Sequence, residues 1–291
     1  MSVTDFTPPA KMLVHELMRP FRMYFSPRFY GLDDFNPDKP ALFIGNHTVY
    51  GTTDGFFLGA EIYERYGHFI RALTDKMQQE IPVWREITTK LGFVTGTREV
   101  CNALMQNGDS IMVFPGGTRE AWKNKGEQYQ LTWKKRVGFA RMAIENGYDI
   151  IPMTGVGGEE MYKILVDSNE IMASPLGKLL KVTGFADKFL RGGDKIPPIT
   201  KGVGLTGLTK PERVYIKIGK RIDTTRFQGQ EHDEDVLFKL RGEAEEAMYR
   251  LVAETPADER ERRAPGVAAC QGCRARRAPG ARAGGEGERA R

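Results

Sequence analysis

Short apolar runs alternate along this chain with longer stretches whose apolar residues recur at helical spacing. A short apolar run suits a buried strand, whereas a period near 3.6 residues places apolar side chains on one face of a helix. The strand-like runs are Ala41–Ile44, Phe69–Leu73, Ser110–Phe114, Ile150–Gly155 and Val214–Ile218. The helix-like stretches are Gly55–Tyr66, Arg98–Asn107, Lys134–Asn146 and Asp233–Ala253. This alternation predicts an α/β fold in which helices flank a central, mostly parallel sheet.

Most of the net positive charge lies at the end of the chain. The 291 residues carry a net charge of +5, and residues 256–291 hold nine Arg against five Asp and Glu, which accounts for +4. The rest is nearly neutral, so we expect no nucleic-acid partner. Residues 256–291 are rich in Arg, Ala, Gly and Pro and cannot bury enough apolar surface to offset the entropy of ordering. We expect them to form a disordered tail.

The cysteines suggest neither a metal site nor a disulfide framework. Cys270 and Cys273 lie in the tail, and only Cys101 is found elsewhere. A zinc site of four thiolates would need a second pair, so we expect no metal. Three cysteines without a disulfide framework fit a reducing compartment.

Two stretches bear on membrane attachment. No run of about eighteen apolar residues occurs, and the start of the chain lacks the apolar core of a secretion signal. Lys11–Phe25 and Pro175–Leu190 combine apolar residues at helical spacing with basic ones, a pattern of helices that lie in a membrane interface. A helix packed on the core with a basic outer face has the same pattern. The presence of two favours a cytoplasmic protein held peripherally on the cytoplasmic face of a membrane, with residues 1–40 as an N-terminal amphipathic segment.

The stretch GNHTVYGTTD follows the first strand-like run and contains His47 and Asp54. Sites in α/β sheets form in loops beyond the carboxyl ends of strands. A histidine oriented by an aspartate can take a proton from a hydroxyl near neutral pH. The loop holds no serine, and the nearest cysteine is distant, so the hydroxyl would belong to a substrate. The alternative is a structural histidine with no catalytic role.

The stretch SIMVFPGGTRE predicts a strand that runs into a glycine-rich turn. Backbone amides near Gly116 and Gly117 can approach a ligand oxygen closely, as in an oxyanion hole, although Pro-Gly-Gly is also a common plain turn. The turn is followed by Thr118, Arg119 and Glu120. Arg119 suits a phosphate or carboxylate, and Glu120 would either orient Arg119 or bind an acceptor hydroxyl.

Two further stretches place basic residues near predicted helix ends. In LGFVTGTRE, Arg98 opens a helix after a Gly-Thr turn and suits a phosphate, although a surface arginine has the same pattern. In RVGFARMAIENGYDIIP, an amphipathic helix with Arg136 and Arg141 returns to a buried strand. This stretch mainly predicts a helix that returns to a buried parallel strand. Its two arginines could also place positive charge near the site.

Taken in this order, four blocks resemble those of the glycerolipid acyltransferase superfamily, whose members transfer acyl groups from acyl-CoA or acyl carrier protein. The blocks are GNHTVYGTTD, GFVTGTR, FPGGTRE and DIIPMTGVG. The chain resembles in particular the monoacylglycerol and diacylglycerol acyltransferase-like branch, which carries Pro-Gly-Gly-x-x-Glu and the pattern that Arg136–Pro152 follows. The resemblance covers about 42–218, and it implies an acyltransferase domain over 41–255.

The resemblance implies a glycerol-3-phosphate acyltransferase-like fold and an enzyme that needs no cofactor. The donor would be acyl-CoA or acyl carrier protein, and the acceptor a lipid hydroxyl of an acylglycerol, lysophospholipid or other alcohol. His47 would act as general base with Asp54, and Arg98 and Arg119 would bind phosphates. Two departures are visible: six residues separate His47 from Asp54 where four are usual, and Gly116 replaces a glutamate typical of phosphate-bearing acceptors. The second departure favours a neutral alcohol.

Two other functions remain open at this stage. A thioesterase-like hydrolase would use His47 to activate water and would release free acid when no alcohol is present. A non-catalytic protein that binds lipids or anions would keep the loops without needing the histidine and aspartate.

Overall fold

The computed structural model describes residues 3–51, 54–74, 82–183, 194 and 196–255. The predicted disorder of the tail 256–291 and its two cysteines therefore lie outside the described residues, as does the part 184–190 of the second predicted basic helix. Within the described residues, no helix combines the length and apolar character needed to cross a membrane.

A seven-stranded sheet forms the centre of the described structure. Its strands are β1 (Arg28–Tyr30), β2 (Ala41–Gly45), β3 (Ile70–Thr74), β4 (Val94–Thr95), β5 (Ser110–Val113), β6 (Asp149–Val156) and β9 (Tyr215–Ile218). They lie in the order β1-β9-β6-β2-β5-β3-β4. All neighbouring pairs are parallel except β6 and β9, which are antiparallel. The mostly parallel central sheet is therefore confirmed. A separate antiparallel pair consists of β7 (Lys163–Val166) and β8 (Ile199–Lys201).

Helices cover both faces of the sheet. They are α1 (Lys11–Phe25), α2 (Asp54–Tyr66), α3 (Pro82–Lys90), α4 (Arg98–Gln106), α5 (Gly117–Ala121), α6 (Gly138–Asn146), α7 (Ser168–Ala173), α8 (Pro175–Val182) and α9 (Glu234–Glu254). On one face, side chains of α4, α6 and α9 pack against residues such as Leu42, Ile44 and Ile111. On the other face, α1 and α2 pack against residues such as Phe43 and Met112. Because side chains alternate along a strand, each buried strand contributes to both cores.

The first helix is fixed to the second by ion pairs and leaves much of its apolar surface outside. Arg22 of α1 lies 2.7 Å from Glu64 and 3.3 Å from Glu61 of α2. Phe25, at the end of α1, is buried in the core. Met12 and Leu13 are 71% and 53% exposed, so the outer side of α1 is apolar.

One predicted helix begins later than expected. The pattern predicted a helix from Lys134, but α6 begins at Gly138, and the preceding residues form a turn in which Lys134 has a φ of 50°. A positive φ is incompatible with a right-handed helix. The turn brings Arg136 against the loop that follows β5, where it donates to the carbonyls of Pro115 and Gly116.

Candidate active site

Two of the predicted site loops lie side by side because their strands are neighbours. β2 and β5 are parallel, with Ile44 paired to Val113. His47 follows the carboxyl end of β2, and the Pro-Gly-Gly turn follows the carboxyl end of β5. Parallel strands end at the same edge of a sheet, so the topology brings together two stretches that are distant in sequence.

The His47 ring is stacked on the ring of Phe114, with centroids 4.0 Å apart and an interplanar angle of 12°. Its Nδ1 is buried and has no hydrogen-bond partner among the described residues. Gly51, with a φ of 60°, lies against this nitrogen, and a Cβ there would be only 2.5 Å from Nδ1. Only glycine fits this position.

The electrostatic surroundings keep His47 unprotonated. Burial, and secondly the positive charge of Lys123, lower the pKa of His47 to about 3. Lys123 forms an ion pair of 2.7 Å with Glu159, and both side chains are 1% exposed. A neutral imidazole has a lone pair that can accept a proton, so the protonation state suits a base.

Glu120 connects the His47 loop to the segment that follows the glycine-rich turn. The backbone N–H of His47 donates to its Oε1 at 2.7 Å, and the N–H of Thr132 donates to its Oε2 at 2.9 Å. The side chain is fully buried, which raises the pKa of this carboxyl. In this structure Glu120 supports the His47 loop, and its predicted roles of orienting Arg119 or binding an acceptor hydroxyl stay predictions.

The glycine-rich turn is held from two sides. A Cβ on Gly116 would lie 2.0 Å from a carboxylate oxygen of Glu120, so the glycine makes room for that side chain. Arg136 donates through Nη1 to the carbonyl of Pro115 at 2.8 Å and also to that of Gly116. The turn that precedes α6 puts Arg136 in this position. The N–H of Gly117 donates to the carbonyl of Phe114 at 2.9 Å.

Both arginines predicted to bind phosphate are engaged with carboxylates. Arg119 makes two hydrogen bonds to Glu127, at 2.6 and 2.9 Å, and its Nε lies 3.3 Å from Asp194. Arg98 lies 3.0 Å from Glu145. Their roles in substrate binding stay predictions.

Asp54 is the first residue of α2, but its side chain lies outside the described residues. Its predicted pairing with His47 therefore stays a prediction, as do the oxyanion roles of the Gly116 and Gly117 amides.

A basic cavity of about 540 Å³ lies beside the glycine-rich turn. Its lining includes Thr118 and four arginines, namely Arg98, Arg119, Arg136 and Arg141. Cys101 also lines it, but burial raises the pKa of this thiol to about 11, so it stays protonated and is a poor nucleophile.

An apolar cavity of about 480 Å³ lies on the opposite face of the sheet. Leu73 and Val113 line the basic cavity, whereas their strand neighbours Ala72 and Met112 line the apolar one. Side chains of α1 and α2 complete the wall of the apolar cavity. Among them, Leu17 and Phe21 of α1 are 49% and 53% exposed, so part of the wall is also outer surface.

Phe114 lies where the two cavities approach each other. It lines the basic cavity, and its ring is 3.2 Å from the position of a Cβ on Gly55, which lines the apolar cavity. His47 stacks on the Phe114 ring itself and is not among the described residues that line either cavity.

Sequence reasoning missed several residues of this site. Phe114 was assigned only to a strand, and Gly51 was given no role, because its contact with the His47 ring depends on the folded loop. Lys123 and Glu159 gave no signal, because an isolated lysine or glutamate is normally expected at the surface.

Several known proteins are similar to this chain in sequence. A family model described as diacylglycerol acyltransferase matches residues 13–253. Phytyl ester synthase 2, a chloroplastic protein of Arabidopsis thaliana, is 27% identical over 242 residues, which are 78% of this chain and 34% of the plant protein. The DGAT1/2-independent enzyme synthesizing storage lipids of Homo sapiens is 28% identical over 156 residues, which are 50% of this chain and 48% of the human protein. The chain thus spans at most about half the length of these two relatives.

The fold also matches a solved structure. The crystal structure of the 1-acyl-sn-glycerophosphate acyltransferase of Thermotoga maritima aligns with a TM-score of 0.50 over 85% of this chain and 81% of that chain. The sequences are 15% identical, so this similarity concerns the fold. It confirms the predicted glycerol-3-phosphate acyltransferase-like architecture. Since the family model covers most of its length, the chain belongs to the diacylglycerol acyltransferase family, a family of acyltransferases.

Proposed function

We propose that this protein is an O-acyltransferase that moves a fatty acyl group from a thioester donor to a lipid hydroxyl. The observation that supports this most is that His47 stacks on Phe114, a ring that lines the basic cavity and lies close to Gly55 of the apolar cavity. An acyl thioester has the same two halves, because its carrier bears phosphate and its acyl chain is apolar. Acyl-CoA or acyl carrier protein would bind across the edge of the sheet, with the thioester near His47.

The reaction needs a base for the acceptor hydroxyl. As the oxygen forms its bond to the thioester carbon, His47 takes the hydroxyl proton. The C–S bond then breaks, and His47 returns that proton to the leaving sulfur. Nδ1 lies against Gly51, so we assign Nε2 as the nitrogen that accepts the proton. An imidazole with a pKa of about 3 is a weak base. The role that we assign to Asp54 is to hold the tautomer that carries its proton on Nδ1, so that the lone pair of Nε2 faces the hydroxyl.

We propose a neutral alcohol, such as an acylglycerol, as the acceptor. Gly116 stands where phosphate-acceptor enzymes carry a glutamate, and the two named relatives are described as a phytyl ester synthase and an enzyme synthesizing storage lipids. We also propose peripheral attachment to a membrane through α1, which is supported by its exposed apolar side chains.

Acyl transfer by the purified full chain tests the proposal directly. The chain is incubated with radiolabelled acyl-CoA and a panel of lipid alcohols, and the products are identified. We expect His47→Ala to lose transfer by about 10²–10⁴-fold, the usual contribution of a general base. His232→Ala, at an exposed position before α9, serves as the control and should be fully active.

Two results would contradict the proposal. Near-normal turnover by a folded His47→Ala variant would exclude His47 as the base. Release of free fatty acid, with no ester from any alcohol, would identify a hydrolase instead.

A further inference from the structure

The four arginines of the basic cavity differ in whether their guanidinium groups already have partners in the protein. Arg98 and Arg119 are held by carboxylates, and Arg136 is held by the backbone carbonyls of the glycine-rich turn. A guanidinium in an ion pair has part of its charge neutralised and some of its five donors occupied, so it attracts a further anion less strongly. The main role of these three arginines is therefore to hold the cavity wall together, and binding an anion is secondary.

Arg141 is different. Within the described part of the chain, its guanidinium has no hydrogen bond or ion pair, and its Nε is buried without a partner. Buried polar atoms in folded proteins nearly always have a partner, and this Nε is buried although Arg141 as a whole is only partly buried. None of the described residues occupies the donors of Arg141, and Arg141 is part of the wall of a cavity of about 540 Å³.

The location of Arg141 on its helix directs it toward the site. It is in the first turn of α6, and helical side chains lean toward the N-terminus of their helix. Since α6 precedes β6, its N-terminus is at the carboxyl edge of the sheet, where His47 also lies. Gly138, one turn earlier, lines the same cavity, and a Cβ there would meet nothing within 4 Å. Space for a ligand is thus adjacent to the free donors.

We propose that Arg141 binds a phosphate group of a substrate in the basic cavity, in place of Arg98 and Arg119. A planar guanidinium can donate two parallel hydrogen bonds to phosphate oxygens. With the neutral acceptor proposed above, the phosphate would come from the carrier half of the donor; a phosphorylated acceptor has a headgroup of the same chemistry, and its binding here would contradict the neutral acceptor. The phosphate site itself does not depend on the proposed acyl transfer. Only the origin of the phosphate rests on that function.

Calorimetric titration of the full chain with coenzyme A and, separately, with glycerol 3-phosphate tests the proposal. We expect Arg141→Gln to weaken binding of one probe by about tenfold or more, as the loss of a charged hydrogen bond does. Loss for coenzyme A assigns the phosphate to the donor, and loss for glycerol 3-phosphate assigns it to the acceptor. Arg250→Gln, which removes the same charge from an exposed site on α9, is the control and should bind normally.

The proposal is overturned if Arg141→Gln binds both probes as tightly as the unmodified chain, if the unmodified chain binds neither, or if only Arg98→Gln or Arg119→Gln weakens binding. Should Arg141→Gln fail to fold in a thermal unfolding scan, Arg141→Lys is measured instead, because it keeps the charge and loses the two-pronged geometry. It should still bind the probe more weakly, and unchanged affinity overturns the proposal.

Binding is measured here without turnover. If no ester forms in the transfer assay while Arg141→Gln still loses affinity for coenzyme A, the proposed reaction is wrong and the phosphate site stands. If ester forms while Arg141→Gln binds normally, the reaction stands and the phosphate site is refuted.

Discussion

Glu120 joins two loops through the two oxygens of one carboxylate. The motif drew attention to this residue, but its partners could not be predicted, since the N–H of His47 lies 73 positions earlier in the chain. Local sequence patterns report neighbours along the chain, whereas this contact depends on the pairing of β2 with β5. His47 and the Pro-Gly-Gly turn could be predicted to meet, because both follow strands of a mostly parallel sheet.

Replacement of Glu120 should affect both stability and turnover. Glu120→Ala leaves two buried N–H groups without an acceptor, at about 1–3 kcal/mol each. We therefore expect the free energy of unfolding to fall by at least about 2 kcal/mol and kcat to fall more than KM rises, since the His47 loop loses its support. Glu120→Gln keeps one acceptor oxygen, so its free energy of unfolding and its kcat should lie between those of the unmodified chain and Glu120→Ala. Urea unfolding and steady-state kinetics measure these effects.

The matched control for Glu120 is Glu246→Ala, which removes an exposed glutamate of α9. Normal stability and normal kcat in Glu120→Ala would contradict the positioning role.

His47 should make the fold less stable as the pH falls. Its pKa is about 3 in the folded protein, against an ordinary value of 6.5. Between these values the unfolded chain binds a proton that the folded chain does not bind, so stability is lost as the pH falls from about 6.5 toward 3. His47→Asn removes this contribution. Between pH 7 and pH 5 we expect the unmodified chain to lose roughly 1–2 kcal/mol more than the variant.

Urea unfolding of both proteins at the two pH values measures this difference. Other groups such as Glu120 titrate in both proteins, so they cancel in the comparison. Equal losses in the two proteins would show that the pKa of His47 is not lowered.

At the scale of elements, helices with a strong pattern could be predicted, and short pieces could not. The helix Lys11–Phe25 was predicted with the bounds that α1 has, which confirms it. β1 and β4 were missed because they have only three and two residues. So few residues cannot show a repeating pattern of apolar and polar side chains. The start of α6 was misplaced because residues before it form the turn that holds Arg136, a tertiary requirement that helix propensity does not contain.

The exposed side of α1 leads to a prediction about membrane binding. Leu13→Asp replaces an apolar side chain that is 53% exposed, and transfer of a leucine side chain from water to lipid is worth about 1.5–3 kcal/mol. We therefore expect partition of the full chain into lipid vesicles to fall about tenfold or more, with the thermal unfolding temperature nearly unchanged. Vesicle sedimentation measures the partition.

Phe238→Asp is the control for α1, because Phe238 is 41% exposed on α9. An equal loss of partition in this control would mean that α1 has no special role at the membrane.

Across the whole molecule, the sheet separates the basic cavity from the apolar one. Gly59 of α2 lines the apolar cavity, and a Cβ there would meet nothing within 4 Å. Gly59→Leu should therefore fill part of the cavity and shift acyl-CoA preference toward shorter chains. Because leucine favours helices more than glycine by about 1 kcal/mol, stability should not fall. Initial rates with a series of acyl chain lengths measure the shift.

Gly242→Leu in α9 is a matched control for Gly59, since it also replaces a helical glycine whose Cβ would meet nothing within 4 Å, and Gly242 lines neither cavity. An unchanged chain-length preference in Gly59→Leu would exclude the apolar cavity as the acyl site.

The half-exposed Leu17 and Phe21 form both an inner wall and an outer surface of the same helix. If the acyl chain lies behind them and the membrane in front of them, a newly made ester has only one layer of side chains to pass. It would depart sideways into lipid without entering water, while the spent carrier leaves into the aqueous phase from the other face.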